Sequence, residues 1–81
     1  MTEADIRKAI FEAIGKIAPE ADPAQLNPNE NLREALDIDS FDFLNVLIGI
    51  HERLGIEIPE SDYGHVGTLS DLVCYLSEKL P

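Results

Sequence analysis

The chain has one cysteine, Cys74, and therefore no possible internal disulfide. Basic residues are scarce: six of 81, against sixteen acidic ones, for a formal net charge of −10. A surface of that sign repels nucleic-acid phosphate and anionic lipid. It attracts basic patches on other proteins and speeds encounter with them. The same charge also serves plain solubility, and composition does not choose between these roles. No apolar run approaches membrane-spanning length, which excludes stable membrane insertion by a helix. The first apolar positions are interspersed with Glu3, Asp5, Arg7 and Lys8, unlike a signal peptide. A soluble, cytoplasmic protein is expected.

Catalytic groups are as thin as basic ones. The two histidines, His51 and His65, lie on different elements with no cysteine ligand nearby in sequence, so no zinc site is expected. No glycine-rich phosphate loop or dinucleotide fingerprint occurs. The acidic stretch "DIDSFDFLN" fails as a calcium loop. Counted from Asp37, it places Phe41 at a ligand position, Asp42 where the turn glycine belongs and Ile48 at the closing carboxylate. Loose surface binding of divalent ions by Glu34, Asp37, Asp39 and Asp42 stays open. Ser40 has no base beside it: His51 is three turns further along the same helix. Cys74 adjoins the apolar stripe of the last helix and reads as a core or flank thiol. A stand-alone enzyme is not expected.

What is present is helical periodicity. An apolar fraction of 44% over 81 residues suits one folded domain, 1–81, with one modest core. Thr2 caps a first helix, with Asp5 completing a capping box. Ile6, Ala9, Ile10, Ala13, Ile14 and Ile17 form its stripe, with Phe11 at the flank. Pro19 ends that helix near Ala18. "PEADPAQLNPNENL" is a long first loop, locally irregular around Pro23 and Pro28, with Leu26 and Leu32 pinning it to the core. A helical turn around "NLREAL" would relieve its length. Asp39 caps the next main helix, with Asp42 at its third position. Its inward stripe is Phe43, Val46, Leu47, Ile50 and Leu54, and Gly55 closes it. "IEIP" is too short for a sheet strand and reads as an extended link burying Ile56 and Ile58. "ESDYGHVG" holds a short helix or turn. Thr68 and Asp71 then open a last helix with a stripe at Leu69, Leu72, Val73, Leu76 and Leu80. The sum is all-α: three main helices and a minor one.

Ser40 is then the first residue inside its helix, near free backbone N–H groups at the positive end of the dipole. A phosphate diester there sits in a favourable local field, opposed by the neighbouring carboxylates. Serine is also common near helix starts for no functional reason, and position alone does not decide.

At these residues the chain resembles the acyl carrier proteins. The likeness is carried by "LDIDSFDFLNVLIGIHERLGIEIPE" and "TLSDLVCYLSEKL", together with the length and the acidity. The resemblance implies a small four-helix bundle with a long first loop and a short third helix. It implies that Ser40 is esterified by a 4'-phosphopantetheine arm, transferred from coenzyme A by a separate phosphopantetheinyl transferase. The arm's thiol would carry an acyl group as a thioester, so the chain would be a non-catalytic carrier. Asp39 would help present the serine. Further partners would be an acyl-loading ligase or transferase and a ketoacyl synthase or other acyl-processing enzyme, in fatty-acid, specialised lipid or polyketide synthesis. Candidate residues lining or neighbouring an acyl-chain space are Phe43, Val46, Leu47, Ile58, Leu72, Val73 and Leu76, each of which also serves ordinary packing.

Three departures from the family pattern point toward a dedicated carrier over a housekeeping one. Asp37 stands where the family usually has glycine, although aspartate tolerates left-handed backbone. Phe41 replaces the usual leucine after the serine, where it would meet the transferase or shape the base of the arm. Asn45 and His51 occupy positions that are often acidic, whereas Asp42 and Glu52 keep their charge. Asp39, Asp42, Glu52 and the outward Leu44 and Ile48 are the expected docking strip for transient partners. His51 would make part of that contact pH-dependent, or is a plain surface histidine. Tyr63 either touches partners or packs. The alternatives are a peptidyl or aminoacyl carrier, and an unmodified helical interaction module. A monomer is expected, because the apolar stripes suffice for one small bundle.

Overall fold

The computed structural model describes residues 2–22 and 25–80; Pro23, read above as part of the loop, lies outside them. The described residues form α1 (Glu3–Ile17), α2 (Leu32–Leu36), α3 (Ser40–Leu54), a 3₁₀ segment (Glu60–His65) and α4 (Leu69–Lys79). The turn around "NLREAL" is thus a short helix of its own, inside the long first connection.

Local rules set most of the helix ends. The Thr2 hydroxyl accepts from the Asp5 N–H at 3.2 Å, and the Asp5 carboxylate accepts from the Thr2 N–H at 3.2 Å. That reciprocal bonding, to the backbone first, holds the Asp5 carboxyl below its ordinary pKa. The cap therefore contributes fully above the ordinary carboxylate range and is lost as Asp5 protonates. Thr68 repeats the cap on α4, accepting from the Asp71 N–H at 3.0 Å. Gly55 ends α3 at φ 71°, a left-handed cap that glycine adopts without a Cβ clash. Asp37 ends α2 at φ 55°, ψ 48°, so aspartate does there what glycine does at Gly55. Leu80 lies just past α4 as its C-cap, still packed against the core.

The apolar stripes meet in one cluster. Ile10, Leu32, Ile50, Val66, Leu72 and Leu76 are fully shielded, so every main helix and the loop supply a sealed side chain. Ile56 and Ile58 are buried as the extended link required. α1 packs against α3 at a close approach. A Cβ on Gly49 would stand 3.1 Å from the Cβ of Ala13, so two small residues set the helix separation. Arg53 spans the same seam: its Nε donates to Glu12 at 3.3 Å, and its Nη1 to the Gly49 carbonyl at 3.0 Å.

Non-local backbone bonds fix the first loop. The Leu32 N–H donates to the Gly67 carbonyl at 2.8 Å, and the Ser70 N–H to the Pro28 carbonyl at 2.9 Å. Asn31 and Thr68 form an isolated antiparallel bridge. These bonds bring the start of α2 beside the end of the 3₁₀ segment, and so place Arg33 and Asn31 in one wall with Ser40.

The 3₁₀ segment buries none of its own residues. It is latched to α4 by the Tyr75 phenol, which donates to Asp62 at 2.8 Å. That bond, with some desolvation and the Asp62 charge, raises the Tyr75 pKa. The latch is fully formed below the ordinary tyrosine pKa and is lost as pH climbs through the raised folded value. Tyr75→Phe should therefore lower the melting midpoint and speed amide exchange in Glu60–His65 near neutral pH. The difference from wild type should shrink as pH climbs through the raised folded value and the phenol ionises. Equal midpoints at neutral pH would remove the latch from the account.

Candidate functional site

Ser40 opens α3, and Asp39 rather than Ser40 caps it, with Oδ1 accepting from the Asp42 N–H at 2.8 Å. The division matters because the Ser40 hydroxyl is left exposed and free of structural duty. Ser40 and the half-buried Leu44 stand one helical turn apart on the same side of α3. Together they face a cavity of about 440 Å³.

The cavity lies between α3, α2 and the 3₁₀ segment. Phe43, Leu44 and Tyr63 give it apolar surface, and Gly64 and Gly67 complete its lining. Asn31 and Arg33 give it polar donors, and none of its lining residues is acidic. Tyr63 also lines a second groove of about 280 Å³, with Leu47, Ile48, His51, Glu57 and Ile58. It therefore stands between the two spaces.

Of the residues expected to line or neighbour an apolar space, Phe43 faces the first cavity, and Leu47 and Ile58 face the second. Val46, Leu72, Val73 and Leu76 are buried in the core cluster. Leu44 is not simply outward: the 3₁₀ segment folds across from it and makes it part of the cavity wall. Ile48 is outward, at 46% exposure, and Phe41 is the most exposed large apolar residue among those described, at 69%. Asp39 and Glu52 are exposed and Asp42 half-buried. Asn45 turns back on its own helix, its amide donating to the Phe41 carbonyl at 3.2 Å, a bond a carboxylate could not make. Cys74 takes the flank position rather than the core and is exposed. His51 and His65 do not converge, and no metal-binding cluster occurs among the described residues. Nor is any helix there long and apolar enough to cross a membrane.

Sequence reasoning missed Asn31, Arg33, Gly64 and Gly67 as site residues. Arg33 carried one signal: a cation seven residues before Ser40 in a strongly acidic chain. Asn31 was legible only as part of a polar loop, because its place beside Gly67 depends on tertiary pairing.

The arrangement can present a hydroxyl at the rim of a cavity that is apolar on one side and bears donors on the other. None of the residues that line the cavity beside Ser40 is a carboxylate or a histidine.

Comparison with known proteins agrees. The family described as "Phosphopantetheine attachment site" matches residues 8–76. An acyl carrier protein of Zymomonas mobilis is 29% identical over 73 residues, 90% of this chain and 87% of that protein. The meromycolate extension acyl carrier protein of Mycobacterium bovis is 26% identical over 78 residues, 96% of this chain and 67% of that protein. A mitochondrial relative from Schizosaccharomyces pombe, named as an acyl carrier protein, is 26% identical over 74 residues, 91% of this chain and 66% of that protein. The fold matches the solution structure of a protein from Anaplasma phagocytophilum assigned to the acyl carrier proteins. Its TM-score is 0.84 at 24% identity, over 100% of this chain and 94% of that one. The chain is a member of the acyl carrier protein family, non-catalytic carriers that bear phosphopantetheine and work with acyl-processing enzymes after activation by a phosphopantetheinyl transferase.

Proposed function

We propose that Ser40 is the attachment residue for the phosphopantetheine arm, and that the chain acts as one dedicated carrier domain of a specialised lipid or natural-product pathway. The observation that carries the attachment is the free, exposed Ser40 hydroxyl at the rim of a cavity. The residues suit the group: the rim has room for a diester, and Arg33 and Asn31 offer donors without a carboxylate in the wall. The transfer forms one Oγ–P bond and breaks one P–O bond of the coenzyme A pyrophosphate, releasing adenosine 3',5'-bisphosphate, while a base of the transferase takes the serine proton. Incubation with coenzyme A and a broad-specificity transferase should add one pantetheinyl group. An unchanged mass with several transferases would favour an unmodified interaction module instead.

The dedicated reading is supported by Phe41, Asn45 and His51. An exposed phenyl ring beside the arm offers far more apolar contact than a charged rim does. Asn45 and His51 also leave the partner-facing helix less negative than the chain as a whole. A general ketoacyl synthase and a generic acyl-loading synthetase should therefore turn this carrier over poorly. Turnover matching a housekeeping carrier would end the dedicated reading. A peptidyl or aminoacyl cargo is the alternative within the carrier class.

Partners should read α3 through Asp39, Asp42, Glu52, Phe41 and Ile48, with Leu44 at the cavity edge. Charge reversal of Asp42 and Glu52 together should slow arm transfer about tenfold at low salt and flatten its salt dependence. Unchanged kinetics across salt would dismiss this strip.

A further inference from the structure

Among the described residues Arg33, like Lys8 and Lys16, has no ion pair or ring contact, in a chain crowded with anions. Among the described residues Arg7 pairs with Glu3 at 3.5 Å, Arg53 with Glu12 at 3.3 Å, and Lys79 lies over the Tyr75 ring. Arg33 makes no ion pair there, although acidic residues outnumber basic ones sixteen to six. Asp37 is four positions on, a spacing that favours pairing within a helix. It has left the helix, however, with its backbone in the left-handed region. Arg33 lines the same cavity as Ser40 and is the only cation among its lining residues.

We propose that Arg33 is a positioning residue for the arm, pairing with the phosphodiester that joins the arm to Ser40. The inference rests on attachment at Ser40. A diester on Ser40 Oγ is held at the rim of this cavity and carries a negative charge at neutral pH. Asp39 and Asp42 lie on the α3 side of it, so the root of the arm needs an offsetting cation from elsewhere. A guanidinium presents two parallel N–H donors to phosphate oxygens and keeps its charge at every working pH. α2 supplies that group to a cavity whose lining residues include no carboxylate. Asn31 fixes the start of α2: its Oδ1 accepts from the N–H groups of Arg33 and Glu34 at 2.9 and 3.4 Å. Its amide nitrogen remains as a second donor in the same wall. The contact is solvent-accessible, so it biases the root of the arm toward α2 without locking it, as a carrier that hands its arm to several enzymes requires.

Phosphorus NMR on the arm-bearing protein tests this. In wild type the phosphorus should relax as part of the folded chain at low salt and gain mobility as salt is raised. Arg33→Gln should lower the immobilised population by about two- to fivefold, the scale of an exposed ion pair, and remove the salt response. Arg33→Lys should restore part of both. The arm-free Arg33→Gln protein should melt with wild type, since the side chain has no ion pair within the described residues. Phosphorus relaxation equal to wild type at both salt levels in Arg33→Gln would overturn the contact. So would a difference that appears only after loading an acyl group with a terminal carboxylate, which would move Arg33 to the cargo. A chain that gains no arm by mass would instead overturn attachment, and the inference with it.

Discussion

Ser40→Ala should abolish the mass gain that wild type shows with coenzyme A and a phosphopantetheinyl transferase, while leaving the fold unchanged. The two halves of that result have separate physical grounds. Ser40 supplies the oxygen that forms the new bond, and alanine has none. The helix start does not depend on Ser40, because the Asp39 carboxylate makes the capping bond to the Asp42 N–H. Alanine is also an excellent helix former at the first position. The variant should therefore keep wild-type stability to within about 0.5 kcal/mol, as surface substitutions outside special features do. Loss of modification could not then be assigned to unfolding. Cys74 is exposed, and an exposed thiol exchanges with any coenzyme A disulfide present to give a mixed disulfide, so the reaction is read after reduction. An adduct that survives both reduction and Ser40→Ala would place attachment elsewhere.

Leu72→Ala should have the largest effect on stability. Leu72 is fully shielded on α4, in the cluster that joins all three long helices. Truncating a sealed leucine removes its transfer free energy and leaves a cavity, at a cost of about 2–5 kcal/mol. A domain of this size has only about 3–5 kcal/mol from a single core, so much of the variant should be unfolded at 37 °C. Urea denaturation should show a collapsed midpoint with an unchanged slope. A midpoint near wild type would mean that α4 is not integral to the core. The Tyr75→Phe change acts on the same helix but only on the latch to the 3₁₀ segment, so its effect should be smaller and dependent on pH.

Much of this was legible in the sequence because local chemistry decides it. Thr2, Asp39 and Thr68 announce helix starts through side-chain oxygens that reach the next turn, and no distant partner is needed. Gly55 announces an end for a similar reason. The placement of Ser40 followed from Asp39, and the burial of Ile56 and Ile58 followed from a link too short to be anything else. The cavity was not legible. Its walls come from residues 31 to 67, joined by the Leu32–Gly67 and Asn31–Thr68 contacts, which no periodicity encodes. Leu44 shows the limit most clearly. Helical spacing places it off the core stripe, and only the 3₁₀ segment opposite makes it a wall. Asp37 shows the reverse: where the resemblance leads one to expect glycine, an aspartate takes the left-handed turn.

The attachment of the arm is tested most directly by locating it. The wild-type chain would be treated with coenzyme A and transferase, reduced, and fragmented in the mass spectrometer. A single phosphopantetheinyl group is expected, confined to fragments that contain Ser40. No adduct, or an adduct on Ser61, Ser70 or Ser77, would contradict it.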